Sequence, residues 1–205
     1  MAWIKLPTNV LAHNVEPSVL AAWLDDNFLP ADTLDWPLNV VVVRSGKQTV
    51  LIDAGVGGEY PDFPRAGHLA SRLDTAGIDP ASITDIVLTH MHMDHVGGLL
   101  DPALRSRLRP GVPIHVSAAE AKFWEAPDFS KAVMPPPVPP ARRRGSTRIL
   151  NEYKSQLRLF DKEHAVAPGV VVRRTGGHTP GHSVVSLTSG GERLMFAGDA
   201  VFAVG

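Results

Sequence analysis

Four residues with metal-binding side chains fall within six positions, His90-Met91-His92-Met93-Asp94-His95, directly after the apolar run Asp85-Ile86-Val87-Leu88-Thr89. The run reads as a buried strand, so the histidines begin where the chain leaves a sheet. In an extended segment a spacing of two puts His90 and His92 on one side. Asp94 and His95 are adjacent, and neighbours in a turning chain point in different directions, so together these residues can address two ions rather than one. Imidazole nitrogen and carboxylate oxygen suit zinc, and also iron or manganese. A lone histidine is more simply a hydrogen-bonded core or surface residue, and Asp94 could cap a helix. Such readings do not account for four of these side chains at one strand end. Gly97 and Gly98 then let the backbone tighten into the next element.

The rest of the chain is organised around such strands. Asn39–Arg44 and Thr49–Asp53 read as two buried strands joined by a tight turn, followed by the glycines 55, 57 and 58. Leu69, Leu73 and Ile78, with Gly77 as a C-cap, predict a helix of about three turns. Val112–Ser117 predicts a short strand, and 118–124 a helix with Ser117 as N-cap. The segment 127–148, with Pro135-Pro-Pro-Val-Pro-Pro140 and the triplet Arg142-Arg143-Arg144, is expected to be irregular, because proline removes a backbone donor. A helix is expected near Leu150–Leu159. Three short β-branched strands follow at 170–173, 183–188 and 193–197. Two β blocks interleaved with helices predict an α/β fold with sheet packed on sheet and helices outside, in one domain over residues 1–205.

Bulk properties narrow the function classes. The net charge of −1 gives no general reason to expect nucleic acid. No apolar run approaches the roughly 20 residues that span a bilayer, and the N-terminus lacks a secretory signal pattern, so the cytoplasm is the default location. Absence of cysteine removes disulfides and thiolate ligands from consideration. The expected partner is a small-molecule substrate, with neither nucleic acid nor membrane.

The string His90-x-His92-x-Asp94-His95 resembles the signature of the metallo-β-lactamase-fold superfamily, and later segments match in order. Gly177-His178-Thr179-Pro180-Gly181-His182 resembles the loop bearing a third histidine, and Ala197-Gly198-Asp199 the loop bearing an aspartate that bridges two metals. Leu51-Ile52-Asp53-Ala54-Gly55 resembles an early strand whose aspartate supports the metal loop. The resemblance runs from about Leu38 to the last residue and implies a four-layer αββα sandwich whose C-terminal part is missing here. It implies two divalent ions, with zinc favoured: His90, His92 and His178 at the first, Asp94 and His95 at the second, and Asp199 between them. Asp53 and His182 would orient these ligands, and the resemblance leaves room for a homodimer. His13, His68, His115 and His164 have no partners at ligand spacing and are expected to be structural.

The resemblance further implies a hydrolase. Two ions about 3.5–4 Å apart, sharing a water, would lower its pKa and polarise the scissile group of an ester, lactone or phosphotriester, with Asp94 orienting the nucleophile and relaying a proton. The layout is most similar to the branch containing methyl parathion hydrolase and some quorum-quenching lactonases. Phe202 stands where the bacillus-type lactonases place a tyrosine. The family's second site normally takes one more histidine beyond the bridging aspartate, and only residues 200–205 follow here, so the chain is expected to be a fragment. A mononuclear iron dioxygenase of the same fold and a non-catalytic truncated homologue remain as alternatives.

Overall fold

The computed structural model describes residues 2–8, 15–58, 64–130 and 140–201. Among them eleven strands form three sheets. Strands β1 (Ala2–Pro7) and β2 (Thr33–Leu38) pair antiparallel on either side of helix α1 (Pro17–Asp26). A five-stranded sheet runs in the order β3 (Val41–Ser45), β4 (Gln48–Ile52), β5 (Asp85–Val87), β6 (Ile114–Ser117), β7 (Leu157–Phe160). Its first pair is antiparallel and the other three pairs are parallel. The parallel pairs follow from the helices between the strands, since parallel neighbours need a crossover connection. The second sheet is antiparallel throughout, in the order β11 (Glu192–Phe196), β10 (Ser183–Ser189), β9 (Val170–Arg174), β8 (Glu163–Ala167).

Alternation along the strands explains how these sheets stack. Leu51, Ile86, Leu88, Ile114 and Val116 face helices and turns, where they pack with residues of α2 (Leu69–Thr75), α3 (Met93–Val96), α4 (Pro102–Arg105), α5 (Ala118–Glu125) and α6 (Pro140–Glu152). Val50, Ile52 and Val87 point the other way, onto Val166, Val170, Val172 and Val185 of the second sheet. The helix layer, sheet and sheet thus share two apolar cores, as sheet-on-sheet packing requires. These are three of the four expected layers, set out by the described residues.

Two helix expectations are corrected. Helix α2 has seven residues, about two turns, and ends one residue before Ala76; Gly77 follows in a left-handed conformation at φ 65°, the usual position for a helix-ending glycine. The arginine triplet is not irregular: the backbone from Pro140 to Glu152 is helical, and Leu157–Phe160 is strand β7 rather than helix. Pro140 occupies the first helical position, where its missing N–H has no intrahelical partner to lose. Residues 131–139, with most of the proline run, lie outside the described residues, as do His13 and Phe202. Ser117 does precede α5, but its hydroxyl makes no capping bond.

Candidate metal centre

The site collects loops that leave the carboxyl ends of strands. Asp53 follows β4, Thr89–His95 follows β5, α5 follows β6, the loop with His178 follows β9, and Asp199 follows β11. Asp53 is the pivot. Its backbone is left-handed at φ 59°, uncommon for a residue with a side chain, and its carboxylate is buried. Oδ1 accepts the Thr89 N–H at 2.8 Å, and Oδ2 accepts the Thr89 hydroxyl and stands against His95 Nδ1, both at 2.8 Å.

These contacts assign protons. Thr89 Oγ1 donates to Asp53, so at 3.1 Å it accepts from His90 Nδ1–H, and His90 Nε2 keeps its lone pair. His95 gives its Nδ1–H to Asp53 and turns Nε2 inward. An imidazole held through its far nitrogen is the usual arrangement of a metal-binding histidine.

The inward nitrogens converge in two groups. His90 Nε2 lies 3.0 Å and His178 Nε2 2.9 Å from His92 Nδ1. His90, His95 and Asp199 form the second group, and within each group the ligand atoms lie within 4.8 Å of one another. Asp199 Oδ1 is 3.1 Å from His95 Nε2, while its Oδ2 is 3.4 Å from His178 Nε2 and 3.9 Å from His90 Nε2, so this carboxylate stands between the groups. Asp94 joins neither, but its Oδ2 is 3.7 Å from His95 Nε2 on a side chain 35% exposed.

Electrostatics suit this donor set. Burial, then the neighbouring histidines, hold His90 well below the ordinary imidazole pKa; burial also lowers His92 and His178. Neutral rings carry the lone pairs a metal needs. His95 differs: burial opposes its charge, but Asp53, Asp94 and Asp199 hold its proton well above the usual range. Burial raises Asp199, and the histidines beside it outweigh that and lower it. His95 Nε2 is nevertheless buried without a hydrogen bond of good geometry. An orphaned nitrogen among carboxylates, next to three neutral imidazoles, fits a divalent cation better than a proton.

His182 contributes to neither group. Its Nδ1–H donates to Thr175 Oγ1 at 2.9 Å, Thr175 donates back to the His182 carbonyl at 3.1 Å, and Nε2 accepts the Asp199 N–H at 3.0 Å. His68 and His164 lie apart from the centre, and His115 pairs with Asp85 at 2.9 Å.

One buried group escaped the sequence. Glu120 of α5 is fully buried, and its carboxylate reaches both histidine-bearing loops. A signal existed: Trp124, four residues on, shares its helix face, so an acid falls on an apolar stripe.

A model of the metallo-beta-lactamase superfamily matches residues 34–205. The chain is 28% identical to an acyl-coenzyme A thioesterase, MBLAC2, of Gallus gallus, over 88% of this chain and 62% of that protein. It is 25% identical to the protein named "Probable metallo-hydrolase Rv2300c" of Mycobacterium tuberculosis, over 80% of this chain and 56% of that protein. Among solved structures, AidC, a dizinc quorum-quenching lactonase in complex with a homoserine product, superposes with a TM-score of 0.82 at 28% identity, over 95% of this chain and 67% of that one. The chain thus spans less than two thirds of these curated relatives.

Proposed function

The chain belongs to the metallo-beta-lactamase superfamily, and from that premise we propose that it is a metal-dependent hydrolase of esters or lactones with a two-ion centre. The observation that carries this reading is the pair of ligand groups meeting at His90, with Asp199 between them. His90, His92 and His178 would hold one ion, and Asp94 and His95 the other, with Asp199 shared; zinc is the natural ion for such ligands. Bound there, the ions would supply a water of lowered pKa and positive charge to polarise a carbonyl.

The chain's own residues do the remainder. Asp53 and Thr89 fix the rings of His90 and His95 through their far nitrogens, and His182 holds the backbone of Asp199. Asp94, beside His95 and partly open to solvent, accepts the proton of the attacking water and passes it to the leaving oxygen. Trp36, Leu38, Met195, Phe196 and Val201 line a cleft of about 270 Å³ that also touches His95 and Asp199. An apolar wall beside a polar centre suits an acyl group next to its scissile carbonyl. The similarity to a lactonase and a thioesterase supports acyl substrates over phosphotriesters. No helix among the described residues is long and apolar enough to cross a membrane.

Protein purified without chelator is expected to carry close to two equivalents of zinc or a similar ion, by elemental analysis, and to hydrolyse lactones or aryl esters. One equivalent of iron with oxygen uptake would replace this reading with a dioxygenase. Neither metal nor turnover would indicate a non-catalytic homologue.

A further inference from the structure

We propose that Glu120 is a positioning residue that sets the spacing between the His90–His92 segment and His178, and through it the affinity of the three-histidine group for its ion. This rests on the reading of the centre as a metal site. The two segments are far apart in sequence and belong to different sheets. Glu120 touches both with one carboxylate. Oε1 accepts the N–H of Met91, the residue between His90 and His92, at 2.9 Å, and the Trp124 Nε1–H at 2.8 Å. Oε2 accepts the Thr179 hydroxyl at 2.6 Å and the Gly181 N–H at 3.0 Å, and Thr179 directly follows His178.

All four acceptor positions of the carboxylate are used, which leaves none to bind an ion. Its role is therefore indirect. Trp124 adds a second route, because the ring that donates to Glu120 stands edge-on to His92, with centroids 5.7 Å apart at 83°. Loss of the carboxylate releases His92 on one side and the His178 loop on the other. The approach is also close: a Cβ on Gly181 would lie 2.1 Å from the Glu120 backbone nitrogen, so α5 and the His178 loop meet backbone to backbone.

Glu120→Gln keeps the shape and spoils the pairing. An amide nitrogen in place of Oε1 would face two N–H groups that can only donate. In place of Oε2 it would face the Thr179 oxygen, which can turn to accept, and the Gly181 N–H, which cannot. The second orientation costs less and puts the misfit on the His178 loop.

The test titrates the metal-free protein with cobalt(II), reading affinity by chelator competition and ligand geometry by the visible absorption of the bound ion. Glu120→Gln is expected to weaken cobalt binding by about 10–100-fold, the range for groups that orient ligands, and to change the spectrum. Leu104→Ala, at the buried position of α4, serves as a destabilised control and should leave both readings at wild type. Thr179→Val and Trp124→Phe, which each remove one donor, should shift affinity in the same direction by less, and they carry the test should Glu120→Gln fail to fold. Wild-type affinity and spectrum in these variants, or equal changes in Leu104→Ala, would overturn the proposal alone. No cobalt uptake by the wild-type protein would overturn the metal reading, and the proposal with it.

Discussion

Asp199→Ala is expected to reduce hydrolysis and second-ion occupancy by more than about 100-fold, beyond the range typical of groups that only orient ligands. The Asp199 carboxylate is approached by His95, His178 and His90 at 3.1, 3.4 and 3.9 Å. Its removal takes away the carboxylate that stands between the two ligand groups, so two cations would face each other without its compensating charge. His182→Ala should cost far less, because His182 meets Asp199 only through a backbone N–H. Turnover and elemental analysis of both variants at saturating metal check the difference. Equal losses would mean that the loop from Gly177 to His182 has a different part in the chemistry from the one assigned.

The second large effect concerns stability. A Cβ on Gly98 would lie 2.1 Å from the Ala54 carbonyl oxygen, and one on Gly97 would lie 2.0 Å from that of Val56. Both obstacles are backbone, pinned by the bonds from Ala54 N to His95 O at 2.7 Å and from Gly98 N to Gly55 O at 3.0 Å. Relief therefore requires the Asp94–His95 turn to move away from the Asp53 loop. Gly98→Ala is expected to destabilise by about 3 kcal/mol, the upper end for overpacking, which lowers the melting temperature of a domain of this size by about 6–12 °C. Gly58→Ala, whose Cβ would make only an ordinary 3.5 Å contact with Asp101, should fall within about 0.5 kcal/mol of wild type. Thermal unfolding of the metal-free proteins decides it, and similar melting temperatures for the two variants would refute the argument.

Legibility of the sequence varied with the kind of signal. Strands β3–β6 and β9–β11 were readable to within two residues at each end, because β-branched runs bounded by glycine or proline have few other uses. The residues His90, His92, His95, His178 and Asp199 stand together in the structure, and they were readable because ligand side chains are dense there and sit at strand ends. Strands β1, β2 and β8 carried little signal: β8 reads Glu-His-Ala-Val-Ala, and only its last two residues are buried. Helix α6 was hidden by its proline and arginines, where composition argued for loop and a first-turn proline was in fact compatible with helix. Glu120 was missed because a lone glutamate in a helix normally faces water, and three of its four partners, the Met91 N–H, the Thr179 hydroxyl and the Gly181 N–H, come from loops distant in sequence, which no local pattern encodes.

The contact between His92 and His178 joins residues 86 positions apart, and this separation has a consequence for how the protein is made. The Asp53–Thr89–His95 network forms within the first sheet and its neighbouring turns, so that half can order while the ribosome is still adding the second sheet. The three-nitrogen group cannot exist until β9 and β10 have docked. Contacts of long sequence range form late and slowly. A nascent chain that has emerged only as far as β7 thus holds two of the three nitrogens of that group, and His90 and His95 without Asp199, so capture of an ion by the whole ligand set would mark the end of folding rather than its beginning.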